Sequence, residues 1–306
     1  LFRFLTVLAL AGLSSQPLSA AEPVSVYQPA SKWNLDFGVD QCSLRRSFGT
    51  PDDLVAISFE RFQPGDSFSL LVTGKALRVF SSPQTPARFE PDGREIERAG
   101  LKGEMGKNPA LVYSSMTLDE LGEVETIDDR RTGSQYRKSS DEIPGDPDVF
   151  GMKITPEREA QIDTLVIGKP GKRSVRLALG SMGKPMAALR TCVDDLVRQW
   201  GIDVEAHRSL TRSVIPLDSP AKWIGANQYP LQLLRNGDQG LVYFRLIVEP
   251  DGTPSKCHIQ ATTRAKGFDD AVCAAMMRSA RFDPALDASG APIRSYWSNT
   301  VLFQIP

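Results

Sequence analysis

The stretch from Gly240 to Thr262 narrows the folding choices of this chain more than any other. From Leu241 to Glu249 apolar and polar residues alternate, with Val242, Phe244, Leu246 and Val248 on one face. A period of two marks a strand buried on one side. Pro250, Asp251 and Gly252 follow, a turn in which proline fixes φ and glycine takes a positive φ. The return run Lys256–Thr262 sets Cys257, Ile259 and Ala261 on one face and polar residues on the other. Two such runs around a tight turn specify a β-hairpin, and a hairpin needs another layer to be stable.

The flanking residues supply that layer. Tyr229 and Pro230 lead into a short helical stretch, Leu231 to Arg235, with a stop at Asn236-Gly237. After the hairpin, Phe268, Ala271, Val272, Ala275, Met276 and Ser279 recur at helical spacing. Asp269 and Asp270 in its first turn and Arg278 and Arg281 in its last suit the helix dipole. Phe282, Asp283 and Pro284 end it. Ser295–Gln304 is a final strand, with Trp297, Asn299, Val301, Phe303 and Ile305 alternating against Tyr296, Ser298, Thr300 and Leu302. The order predicts an α+β unit, a three-stranded antiparallel sheet with two helices on one face.

These residues resemble the TonB C-terminal domain family of energy-transducer proteins. The matching pieces are Tyr229-Pro230, then Gly240, Leu241, Val242, Phe244, Arg245, Leu246 and Val248, then the Asp251-Gly252 turn. Phe268-Asp269, Ala280 to Ala285, and Gly290 with Pro292 complete the set. The resemblance spans residues 228–306 and leaves the rest of the chain unassigned. It implies an interaction domain without catalysis or cofactor. The resemblance implies a partner, an outer-membrane receptor or another envelope protein, that adds a strand to the last strand of the sheet. The residues so implicated are Trp297, Asn299, Thr300 and Val301, with Gln228, Tyr229 and Pro230 beside them. A bridge between Cys257 and Cys273, on a strand and on the helix after it, fits the same resemblance.

Residues 22–201 read as a β-rich domain. Val55–Phe62 and Ser67–Thr73 alternate around the turn Gln63 to Asp66, a second hairpin. Ala76–Phe80, Ala110–Ser115, Asp163–Ile167 and Ser174–Leu179 are further strand candidates, and Gly168–Lys172 is a turn. The polar stretch Glu123–Asp148 is expected as an exposed insertion. Thr155 and Pro156 cap a short helix over 157–161. A longer helix opens at Pro185 and ends at Gly201, with Met186, Leu189, Val193, Leu196, Val197 and Trp200 on its apolar stripe. Residues 202–227 carry Pro216 and Pro220 without a clear period and read as a linker. As flexible chain they would span about 28 Å, enough to separate two domains.

Residues 1–21 have the layout of a cleavable secretory signal. Arg3 precedes the apolar run Phe4–Leu13, polar residues break it, and Ser19, Ala20 and Ala21 suit cleavage after Ala21. The apolar run is too short to span a bilayer, which takes about 20 residues. The expected location is therefore the periplasm, with no membrane span left after cleavage. Export agrees with four cysteines, Cys42, Cys192, Cys257 and Cys273, an even number. Cys192 lies next to the apolar stripe of the long helix and can reach Cys42, near the domain's first strand.

Other functions find little support in the residues. A net charge of −1 without like-charge blocks gives no footprint for nucleic acid. His207 and His258 are the only histidines, and His258 adjoins Cys257, so adjacent strand residues would point apart; no metal site is expected. Gly180, Ser181 and Gly183 fail the spacing of a serine-hydrolase elbow. Gly183-Lys184 lacks the glycine and hydroxyl of a phosphate loop. A carboxylate hydrolase in the N-terminal domain is the alternative to a binding protein, with Asp128-Asp129 and Asp194-Asp195 as its acidic pairs. A cleft holding two facing carboxylates would favour it.

Overall fold

The computed structural model describes residues 24–81, 85–91, 100–118, 154–169, 173–262 and 266–305. The expected signal, the expected insertion and the Asp128-Asp129 pair lie outside these residues. Strands β1 (Val24–Tyr27), β2 (Asn34–Phe37), β3 (Cys42–Thr50), β4 (Asp53–Arg61), β5 (Phe68–Gly74), β6 (Ala87–Glu90), β7 (Leu101–Met105) and β8 (Asn108–Met116) come first. Helix α1 (Pro156–Gln161), β9 (Thr164–Ile167), β10 (Ser174–Ala178), helix α2 (Gly183–Gln199) and helix α3 (Val204–Arg208) follow. The C-terminal part adds β11 (Ile215–Pro216), α4 (Leu231–Asn236), β12 (Gly240–Val248), β13 (Pro254–Thr262), α5 (Lys266–Ser279), β14 (Phe282–Asp283), β15 (Ala285–Leu286), β16 (Pro292–Ile293) and β17 (Ser295–Phe303).

The N-terminal region is two sheets and a helix around one core. A six-stranded sheet runs β2-β3-β4-β5-β8-β7 and a four-stranded sheet runs β1-β10-β9-β6. Period-two alternation aims Phe59 and Phe68 of the first sheet at Phe89 of the second, with ring centroids 6.1 and 6.0 Å apart. Helix α2 closes the core with Met186, Leu189, Val193, Leu196 and Val197, all buried. The helix begins at Gly183, two residues before the expected Pro185. The Cys42–Cys192 disulfide fastens it to β3 across a sequence separation of 150. Helix α1 is capped as the sequence implies, with the Thr155 side chain accepting from the Arg158 N–H. Ala76–Phe80, expected as strand, falls instead on a 3₁₀ turn over Lys75–Val79. Only Leu77 and Phe80, three residues apart, are buried there, and so short a run fits either period.

The C-terminal sheet is three-stranded and antiparallel, in the order β13-β12-β17. Helix α5 lies on one face with Phe268, Val272, Ala275 and Met276 buried, and the Cys257–Cys273 disulfide ties it to β13. Arg281 lies beyond the helix, because Phe282 and Asp283 leave it to pair with β11. The hairpin turn requires its glycine: Gly252 sits at φ +80°, and a Cβ there would lie 2.0 Å from the Phe282 carbonyl oxygen.

Residues 202–227, expected as a linker, carry side chains buried in both regions. Ile202 and Val204 are buried in the N-terminal core, while Leu210, Val214 and Trp223 are buried in the C-terminal one. Asp203 caps α3 by accepting from the N–H groups of Glu205 and Ala206. The segment lacks a single period because it serves two cores in turn, and it binds the two regions together rather than spacing them.

Candidate functional site

Strand β17 is an edge, and its two sides differ. Its register against β12 places Val242 opposite Val301, Tyr243 opposite Thr300 and Phe244 opposite Asn299. The Thr300 N–H donates to the Asn299 Oδ1 at 2.7 Å, so it faces away from β12. By the alternation of antiparallel ladders, the N–H groups of Ser298 and Leu302 face outward as well, and that of Asn299 faces β12. The outward row is the set of groups an incoming strand would use.

The side chains of the strand anchor it. Trp297 packs edge-on against Trp223 at 5.6 Å and close to Phe282 at 5.3 Å. Val301 packs on the same core, and Phe303 stacks on Phe268 at 4.5 Å. Tyr229 stands edge-on to Phe303 and Phe268, at 5.3 and 5.7 Å, and its hydroxyl donates to the Asp238 carbonyl. The Gln228 side chain accepts from the Gly225 N–H at 2.7 Å, and Pro230 is the N-cap of α4. The structure thus brings Tyr229 against the end of β17. Gln228 and Pro230 precede α4, whereas Asn299 and Thr300 lie on the strand itself.

The sheet face opposite α5 is covered by the N-terminal region, which the sequence alone did not reveal. Arg245, Ile247 and Tyr296 are all buried on it, and Ile247 and Tyr296 belong to the N-terminal core. The Arg245 guanidinium lies over the Trp200 ring at 3.6 Å. Burial pushes Arg245 down to about 10, and its Nε and Nη1 have no hydrogen-bond partner among the described residues. Tyr296 meets Trp200 edge-on at 5.2 Å and stacks with His207 at 6.2 Å. The His207 Nε2 bonds the Ser295 Oγ at 2.8 Å, and its Nδ1 bonds the Asp203 carbonyl. Burial holds His207 below the usual histidine value, against the pull of Asp203. His258 of β13 pairs with Asp40, and the Gln260 amide donates to the Phe62 carbonyl.

Coverage stops partway along the face. Tyr243, Thr300 and Leu302 remain exposed, Leu302 at 63%. The open length of the β17 edge is therefore Ser298–Leu302, since Ser295 is held under α3.

The acidic pair Asp194-Asp195 is on helix α2, where Asp194 binds Arg208 and Asp195 binds Arg198. The buried Glu159 carboxylate binds Arg190. These carboxylates are each engaged with a cation. No group of three or more histidine, cysteine or acidic residues among the described residues is placed to hold a metal. No helix among them is long and apolar enough to cross a membrane.

Residues 225–305 match the family model of the Gram-negative bacterial TonB protein C-terminal. The family is an interaction domain of envelope proteins, not a catalytic one. The match begins within the segment expected as linker and takes in α4, the three-stranded sheet and α5. No curated protein matches the chain.

Proposed function

We propose that the chain is a non-catalytic binding protein of the periplasm that engages a segment of an outer-membrane receptor, or another envelope protein, by strand addition along β17. The carrying observation is the edge over Ser298–Leu302: Trp297, Val301 and Phe303 anchor the strand to the core while its outward N–H groups face away from the sheet. Two disulfides support an oxidising compartment. On this reading residues 22–201 form the domain that holds the module, residues 228–306 form the module, and residues 202–227 fasten one to the other. Strand addition takes its strength from main-chain hydrogen bonds and its selectivity from side chains beside the edge. Here Leu302, Tyr243 and the ring of Tyr229 supply that selectivity.

The test is a photo-crosslinker placed at the exposed Gln304, just past the strand, in the full chain and activated in whole envelopes. One envelope protein should be captured, and Thr300→Pro should abolish its capture by removing an outward donor. Proline at Asn299 is unsuitable, because that N–H faces β12 and its loss would damage the sheet. A Thr300→Pro protein with an unchanged circular-dichroism melt and undiminished capture would remove the β17 edge from consideration.

A further inference from the structure

A second recognition site lies in the N-terminal region, far in sequence from the module. A cleft of about 460 Å³ opens between the β2–β3 pair and the first turns of α2, with Leu179 to Ser181 as its floor. Leu35 and Leu44 sit opposite one another in the β2–β3 register and form one wall with Trp33. Its size falls in the range of small-molecule sites, about 300–1,000 Å³.

The charges in this cleft have one sign. Arg46 and Lys184 line it, and no carboxylate among the described residues does. Arg46 is held in place: Nε donates to the Ser31 carbonyl at 2.9 Å and Nη1 to the Leu179 carbonyl at 2.6 Å. Its guanidinium also lies 5.3 Å from the centre of the Trp33 ring. These contacts use neutral groups only, so among the described residues the cation has no counter-charge and Nη2 has no partner. Lys184 is exposed at the other side of the mouth, with no ion pair among the described residues. Surface cations commonly point into solvent, but a guanidinium fixed by two carbonyls against an aromatic wall is oriented before any ligand arrives. The Cys42–Cys192 bond joins the same strand and helix about two turns beyond Lys184, which fixes the separation of the walls.

We infer that this cleft binds a small monocarboxylate with an apolar tail. The carboxylate would sit between Arg46 and Lys184, and the tail would lie against Trp33, Leu35 and Leu44. The guanidinium edge suits a planar carboxylate, and the ammonium adds charge without a geometric demand.

The experiment titrates octanoate into the full, oxidised protein, read by calorimetry and by amide and indole shifts in heteronuclear NMR. Octan-1-ol and octyltrimethylammonium serve as the neutral and cationic controls. Octanoate should bind one to one, with shifts centred on Trp33 and Lys184, at least tenfold more tightly than either control. Lys184→Met should weaken octanoate about fivefold and leave octanol unchanged. Ala188→Glu, an exposed substitution at the cleft rim, should weaken octanoate by more than tenfold. Three outcomes would overturn the inference: no saturable binding at millimolar octanoate, octanol binding as tightly as octanoate, or both variants binding octanoate like the parent. None of these bears on capture at β17, so this site and the proposed strand addition fail separately.

Discussion

The two faces of the C-terminal sheet are buried by different means. The face toward α5 is covered by a helix that follows the hairpin directly in sequence, and its contacts are apolar: Phe244, Leu246 and Val248 against Phe268, Val272 and Met276. The opposite face is covered by residues from the N-terminal region and carries Arg245 and Tyr296 among its buried groups, with the buried His207 stacked on Tyr296 and bonded to Ser295 at the end of β17. One face is a core of the ordinary kind. The other is a polar seam whose cations and hydroxyls must find partners or remain unsatisfied. The difference teaches that one face is held by apolar packing within a single short segment, while the other combines Ile247 and Tyr296 in the N-terminal core with polar contacts that can be tuned singly.

The comparison breaks most readily on the helix side. Phe268 is fully buried, stacks on Phe303 and meets Tyr229 edge-on. Phe268→Ala should destabilise the protein by about 3–5 kcal/mol, from lost burial and the cavity left behind. Chemical denaturation checks this, and a loss below about 1 kcal/mol would mean that α5 is not the main cover of the sheet.

The seam should respond less, and with a pH dependence the helix side lacks. His207→Ala leaves the buried Ser295 hydroxyl without its partner and should lose about 1–3 kcal/mol. Burial depresses His207 below 6.5 in the folded protein. Above pH 6.5 both folded and unfolded states hold it neutral, so it contributes no pH dependence there. As pH falls below 6.5 the unfolded chain takes up the proton first, and stability declines until the folded value is reached. His207→Gln keeps a donor and acceptor but cannot titrate. Urea melts from pH 7.5 to 5 should therefore show a smaller decline for His207→Gln than for the parent. Parallel curves would mean that His207 does not sense pH in the seam.

The same contrast separates what is legible in the residues from what is not. The α5 face is legible because strand and helix periods each mark their apolar residues within one short segment. Val242, Phe244 and Leu246 announce themselves, and so do Phe268, Val272 and Met276. The disulfides are legible as well, from a helix stripe beside Cys192 and a family pattern around Cys257. Arg245, Ile247 and Tyr296 occupy positions that alternation assigns to solvent, and only a distant domain makes them interior. Residues 202–227 mislead for a related reason, since Val204 and Trp223 belong to different cores and no single period links them. The cleft draws Trp33, Arg46 and Lys184 from three separate segments, and neither composition nor spacing joins them.

Arg245 sharpens the comparison further. It is a buried cation stacked on Trp200, with two nitrogens unsatisfied among the described residues. Replacing a buried charge with an apolar side chain of similar length is often neutral or stabilising. Arg245→Met should therefore change stability by about 1 kcal/mol or less, in either direction, in thermal denaturation. A loss of several kcal/mol would show that the guanidinium holds the seam through contacts stronger than its place on the Trp200 ring.

The smallest expected effect lies at the edge itself. Exposed edge strands invite unwanted pairing, and proteins blunt them in various ways. In β17 the Asn299 side chain does this locally by accepting from the Thr300 N–H, the same donor that an incoming strand would need. Strand addition must displace that side chain first. Asn299→Ala removes the competitor while leaving the Asn299 backbone bonded to β12. One hydrogen bond is worth about 0.5–1.5 kcal/mol net, so freeing the donor should raise capture of the envelope partner by about threefold. The Thr300 amide should exchange with solvent several times faster in the variant, which NMR exchange measures without any partner. Faster exchange with raised capture is the expected pair of results. Faster exchange with reduced capture, in a protein that melts like the parent, would mean that the partner recognises the Asn299 side chain rather than displacing it.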